Sequence, residues 1–323
     1  MTTAGSISWI GLRVDDYLID EKLGEGAFSQ VFRGSSLNGE AGRAFKVAKP
    51  IDSIEQKHPD NKTQAKIVWS GFVQDVTPDP VALLSRQAEK LTKAKQYDNL
   101  VKPGKFHSDA ASSYLELELL EGQSLREKLN TDKLISISVL QELASALANL
   151  SLNPNWSYHG DLKPENIILC KDRICLIDPG YFGKLNCMEA KNSKVSICTP
   201  IYYPGLEPDD VLAFGIMLFE IACGKHPFSG TYDRSSDIAD DVIDQVKSRE
   251  SAGQYFMSPL RSFKRPSRLN KKISADWEKL LLKGLRLEVG ADGLIHASKG
   301  FTTIAELAQA INSLNSTGWL GVE

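Results

Sequence analysis

The run Tyr158-His159-Gly160-Asp161-Leu162-Lys163-Pro164-Glu165-Asn166 sets an aspartate, a lysine and an asparagine on one short loop. Asp178-Pro179-Gly180 then places a second aspartate at the end of the next strand pair. Side chains of these types, in this order, suit the transfer of a phosphoryl group from ATP. Asp161 would orient an acceptor hydroxyl and take its proton, and Lys163 would neutralise charge on the group in flight. Asn166 and Asp178 would offer Mg²⁺ the hard oxygen ligands it prefers. Each residue alone could be a loop or capping residue; the signal is their joint occurrence.

A nucleotide needs a cradle as well. Leu23-Gly24-Glu25-Gly26-Ala27-Phe28-Ser29-Gln30-Val31 carries G-x-G at a turn between two strand-like runs, where small residues let backbone amides close over phosphate oxygens. The next element reads as a strand rather than a helix, which argues against a dinucleotide-binding fingerprint. Lys46 follows in Ala44-Phe45-Lys46.

Together these segments resemble the eukaryotic-type (Hanks-type) protein kinase family, whose patterns are H-R-D-L-x-x-x-N and D-F-G. The Asp161-x-Lys163 spacing resembles the serine/threonine branch. The resemblance implies an α+β, bilobal fold: an N-terminal antiparallel sheet with one main helix, then a helical lobe. ATP and Mg²⁺ would be the cofactors, and a protein carrying a Ser or Thr acceptor the partner. Lys46 would pair with the α- and β-phosphates, with Glu89 its expected helix partner; an exposed Glu89 is the alternative. Phe28 would shield the phosphates. In Tyr114-Leu115-Glu116-Leu117-Glu118-Leu119-Leu120-Glu121-Gly122, Leu117 would back the adenine pocket while backbone groups of Glu118 and Leu120 met the base edge. Ala44 and Ile168 would sandwich the base. Thr199 would contact Asp161 and Lys163.

This chain departs from the family pattern at several places. Gly160 stands where the family has an arginine that grips an activation-loop phosphate, so activity should depend little on phosphorylation there. Pro179 replaces a phenylalanine, and Ser29 replaces the third glycine of the loop. Pro204-Gly205-Leu206-Glu207 is a shortened docking region, and no arginine near the end of the domain is evident between Gly290 and Thr302. Two other readings follow. His-Gly-Asp also occurs in small-molecule phosphotransferases of related fold, and the accumulated departures suit a non-catalytic binding module.

The elements expected to carry these residues run sheet first, helices afterwards. Tyr17-Leu18-Ile19, Gln30–Arg33, Arg43–Val47 and Tyr114–Leu119 read as strands. Val81–Lys95, Ile137–Leu150, Val211–Ala222, Trp277–Leu287 and Thr303–Leu314 read as helices. A polar, proline-containing stretch at 50–80 reads as an insertion with a hairpin of its own. The domain is placed at 14–316, with an N-lobe at 14–120 and a C-lobe at 121–316. A 42% hydrophobic, 24% charged composition fits a soluble globular chain, and a net charge of −3 argues against nucleic acid as a partner. Apolar runs are too short for a membrane span, and five cysteines without a C-x-x-C pair suit a reduced, cytoplasmic protein.

Overall fold

The computed structural model describes residues 8–54, 64–69, 72–109, 112–132, 134–188, 191–199, 201–203, 207–227 and 263–314. The N-terminal lobe is built on β1 (Arg13–Val14), β2 (Tyr17–Glu25), β3 (Ser29–Ser36) and β4 (Arg43–Ala48). Farther along come β5 (Gln64–Trp69), β6 (Phe72–Asp75), α1 (Pro80–Lys93), β7 (Pro103–Ser108) and β8 (Ser113–Glu118). Six of the strands form one antiparallel sheet in the order β1-β2-β3-β4-β8-β7. Alternation along β2 turns Tyr17 and Ile19 inward, where they join Phe32, Phe45, Val47 and Tyr114. Helix α1 starts where Asp79 accepts from the Val81 amide at 2.9 Å and Pro80 fills the first turn, needing no amide partner. Its inner side buries Leu83, Leu84, Ala88 and Leu91.

The second lobe opens with β9 (Gly122–Ser124), α2 (Leu125–Asp132) and α3 (Ile137–Ser151). The strands β10 (Ile167–Cys170), β11 (Ile174–Leu176), β12 (Tyr181–Leu185) and β13 (Ser193–Cys198) then bracket the loops of interest. It ends with α4 (Asp210–Cys223), α5 (Pro266–Leu269), α6 (Ala275–Gly284), β14 (Leu287–Val289), β15 (Ile295–Ala297) and α7 (Ile304–Ser313). Helix α4 is apolar all round because it is covered all round: eleven of its residues, from Val211 to Ala222, are buried. It crosses α6 where Gly215 meets Gly284, and a Cβ on Gly215 would lie 2.3 Å from the Gly284 carbonyl oxygen. Asp209 caps α4 by accepting from the Leu212 amide at 3.1 Å and also pairs with Arg286. An arginine therefore does tie down this end of the domain, at 286 and not within 290–302, a stretch that holds β15 and the turn leading into it.

The stretch at 50–80 contains the hairpin β5–β6, and that hairpin does not extend the six-stranded sheet. It pairs with β13 in a separate sheet ordered β12-β13-β5-β6, with Val195 opposite Ile67 and Ile197 opposite Ala65. Beneath it lies a small apolar cluster of Ala27, Phe28, Ala65, Val76, Leu83, Leu185, Cys187, Val195 and Ile197. Residues 55–63 of the insertion, Pro204-Gly205-Leu206 and the chain beyond 314 lie outside the described residues. Among the described residues, no helix is long and apolar enough to cross a membrane.

Two outcomes are expected. Because Gly215 has no room for a methyl group, Gly215→Ala should cost about 1–3 kcal/mol in urea-unfolding stability. His159 is fully buried and its pKa is pushed down by that burial, so protons bind the unfolded chain more readily. Its contribution to stability is complete above the ordinary histidine value and is lost as the pH falls below about 6.5, at up to ~1.4 kcal/mol per pH unit. Urea titrations between pH 7 and 5 should show this slope, and it should shrink in His159→Gln.

Candidate active site

The loop carrying Asp161 is shaped by groups that do no chemistry themselves. Asp210, in the first turn of α4, accepts from the amides of His159 and Gly160, the latter at 3.0 Å. Tyr203 donates its hydroxyl to Asp210 at 2.6 Å, and the same oxygen accepts from the Leu162 amide at 2.8 Å. Gly160 sits at φ +85°, in the left-handed region, where the family's arginine would be strained; a Cβ here would also press on the Tyr158 ring at 2.9 Å.

Held this way, the loop gathers its polar side chains into one buried cluster. Thr199 donates its hydroxyl to Asp161 at 2.7 Å and accepts from Lys163 Nζ at 2.7 Å. Lys163 lies 3.2 Å from the Asp161 carboxylate. Asn166 donates Nδ2 to the Asp161 carbonyl at 2.8 Å and to its carboxylate at 3.0 Å. Asp178 stands opposite, at φ +55°, and pairs with Lys46 from β4. Burial opposes the Asp178 charge, but Lys46, helped by Lys163, outweighs it and holds the carboxyl below its ordinary range.

The expected partnership of Lys46 with Glu89 is not formed. Glu89 lies half-exposed on the outer side of α1 and pairs with Arg86, 3.0 Å away. Lys46 instead donates to Gln87 Oε1 at 2.8 Å. The register fails because Gln87, not Glu89, falls on the side of the helix facing β4. Gln87 also donates Nε2 to the Pro179 carbonyl at 3.1 Å. Its signal was present in the sequence: a polar residue set among Leu84, Ala88 and Leu91 on an otherwise apolar face.

The G-x-G segment covers Lys46 and Asp178. Gly26 donates its amide to Ser29 at 2.8 Å across the turn, and Glu25 is bracketed by Lys22 and Lys49, which bring its pKa down to about 2. Ser29 is buried, and Val31 faces Lys46 across the β3–β4 ladder. Phe28 is 6% exposed, packed with Leu83 and Ile197 instead of standing at an open tip. The cavity left among Gly26, Phe28, Lys46, Gln87, Asp161 and Asp178 measures about 40 Å³, room for a few waters. Ala44 pairs with Leu117 across β4 and β8. Glu118 donates its amide to the Lys102 carbonyl at 3.0 Å, and its carboxylate accepts from Arg173 at 2.7 Å. Leu23 and Leu120 line an open hollow beside that turn, and Ile168 packs from β10 on the main core.

The donor set fits a nucleotide-bound Mg²⁺. Among the described residues no three His, Cys, Asp or Glu side chains cluster as a self-sufficient metal site. One carboxylate with one carboxamide is the small set that Mg²⁺ uses when phosphate oxygens complete its shell. With Nδ2 of Asn166 committed to Asp161, its carboxamide oxygen is the atom left for a cation.

Comparison with known proteins gives the family and the fold. The chain is 26% identical over 255 residues to Calcium-dependent protein kinase 5 of Plasmodium berghei (strain Anka), covering 72% of this chain and 38% of that one. It is 22% identical over 294 residues to Serine/threonine-protein kinase atg1 of Dictyostelium discoideum, covering 86% and 37%. It therefore spans under two-fifths of the length of these relatives. Among solved structures, the Mycobacterium tuberculosis PknI kinase domain superposes with a TM-score of 0.52 at 14% identity, covering 95% of this chain and 99% of that one. The apo form of PpkA-294 gives 0.57 at 15%, covering 95% and 100%. These two share the fold. Residues 17–289 match the family described as protein kinase domain, and the chain belongs to that family.

Proposed function

We propose that this domain transfers the γ-phosphoryl group of ATP to a serine or threonine hydroxyl of a protein, with Mg²⁺ as cofactor. The observation that carries the reading is Thr199, whose single hydroxyl group is 2.7 Å from both Asp161 and Lys163. It holds a base and a cation side by side, facing Asp178 and Lys46. The acceptor hydroxyl would give its proton to the Asp161 carboxylate as its oxygen bonds to phosphorus, and the bond from phosphorus to the β–γ bridging oxygen would break, releasing ADP. Lys163 would stabilise the charge spread over the moving group. Asn166 and Asp178 would hold the cation, which neutralises the phosphates when bound.

On the nucleotide side, Lys46 would exchange Asp178 for the α- and β-phosphates. Ala44 and Ile168 would enclose the base, Leu117 would back it, and backbone groups of Glu118 and Leu120 would meet its edge. Leu23 to Ser29 and Val31 would form the roof. Glu89, paired with Arg86 on the outer side of α1, has no part in this site. The ATP-rich cytoplasm is the compartment this reading requires. A second reading, a binding module without transfer, is favoured by the tightness of the cavity beneath Phe28 and by a neutral amide beside Lys46.

Incubation with Mg²⁺ and γ-labelled ATP should label a casein-type protein and leave aminoglycosides unlabelled. Asp161→Asn should lower the rate by about 10²–10⁴-fold with ATP affinity preserved. Parent protein that binds ATP yet labels nothing would establish the second reading, and rapid labelling by Asp161→Asn would remove Asp161 from its role as base.

A further inference from the structure

Helix α1 carries two polar residues one turn apart on its inner side, Gln87 and Lys90; positions three apart share a helix face. Both reach the backbone that follows Asp178. Gln87 donates to the Pro179 carbonyl at 3.1 Å, and Lys90 donates to the Gly180 carbonyl at 3.2 Å. Lys90 also donates to the His159 carbonyl at 3.2 Å, and Gly180 donates its own amide to that oxygen at 2.9 Å. One ammonium group thus joins the segment bearing Asp178 to the loop bearing Asp161.

The surroundings of Lys90 are unusual for a lysine. Its ammonium lies over the rings of Trp156 and Tyr158, with centroids at 4.7 and 4.5 Å, and is met by carbonyls and ring faces rather than by a carboxylate. Burial pulls its pKa down to about 8, against the opposing pull of Asp210. Taking a charge out of water without an ion partner is unfavourable, and carbonyl dipoles with aromatic faces offset that cost only in a fixed arrangement. Two of the carbonyls concerned lie between Asp178 and β12, where Pro179 has no amide to donate, and the third, of His159, lies in the loop that Asp210 holds.

We infer that Gln87 and Lys90 are positioning residues for phosphoryl transfer: through the carbonyls of Pro179, Gly180 and His159 they set the separation of Asp178 from Asp161. The inference rests on the roles given to those two aspartates under the proposed function. A carboxamide is required at 87 because it accepts from Lys46 and donates to Pro179 at once. A glutamate could still accept from Lys46, but it has no hydrogen for the Pro179 carbonyl and would set a second carboxylate beside Asp178. The family's expected glutamate should therefore impair this protein rather than restore it.

The test uses the full chain in four forms: parent, Gln87→Glu, Lys90→Met and Lys90→Arg. Gln87→Glu and Lys90→Met should each lower kcat about tenfold or more while KM for ATP changes less than threefold, and Lys90→Arg should recover part of the loss. A kcat at or above the parent's in either Gln87→Glu or Lys90→Met would overturn the inference, as would a loss in Lys90→Met that Lys90→Arg does not relieve. Should Lys90→Met fail to fold, Lys90→Ala removes the donor with a smaller side chain, and parental kcat there would be equally fatal. Hydrogen exchange of the peptide spanning 177–183 needs no activity: faster exchange in Gln87→Glu and Lys90→Met supports the clamp, and unchanged exchange refutes it. A parent chain that transfers nothing would overturn the proposed function alone, leaving the exchange data to judge Gln87 and Lys90.

Discussion

The ion pair between Lys46 and Asp178 is the constraint on which the rest of the site depends. Its partners come from different lobes, Lys46 from the centre of β4 and Asp178 from the turn after β11. A pair with one buried partner contributes little net stability, because desolvation offsets most of the attraction. What it fixes is geometry. Lys46 is only 5% exposed, and among the described residues Asp178 is the anion that meets its ammonium. Helix α1, the G-x-G roof and the loop around Asp161 are then arranged about that contact.

The helical lobe answers with rigidity of another kind. Asp210 opens a helix buried on all sides and grips two successive amides of the loop bearing Asp161, so the loop inherits its position from the core. Tyr203 closes a second link from Asp210 to Leu162. The polar side chains of the candidate site therefore sit on irregular backbone, where conformational variety is available, but their positions are set by regular structure behind them.

The parts of this arrangement that lie contiguously in the chain were legible beforehand. Asp161, Lys163 and Asn166 share one loop, and the chemistry of a phosphoryl group restricts which residue types can serve there. The contact of Thr199 with Asp161 and Lys163 joins residues far apart in the chain, and it was expected only from the family resemblance. Glu89 failed because the spacing argument presumed an acidic partner and so passed over Gln87, which differs from the expected residue by one functional group. Arg286 was missed because it lies just outside the stretch in which an arginine was sought. The pairing of β5 with β13 was invisible for a deeper reason: it joins segments more than a hundred residues apart in the chain, and nothing local in either announces the other. Strand ladders between distant segments are decided by tertiary packing, not by the pattern of either strand.

That ladder ties two parts of the candidate site together. Val195 and Ile197 are rungs against an N-lobe hairpin, Phe28 of the phosphate roof is wedged into the same apolar cluster, and Thr199 follows one residue past the end of β13. Under the proposed function, seating a triphosphate beneath Phe28 would press on the cluster that Phe28 shares with Val195 and Ile197, and so on the strand that leads to Thr199. On that proposal, nucleotide entry and acceptor alignment would be linked through a common lever of hydrogen-bonded backbone, without any messenger group between them.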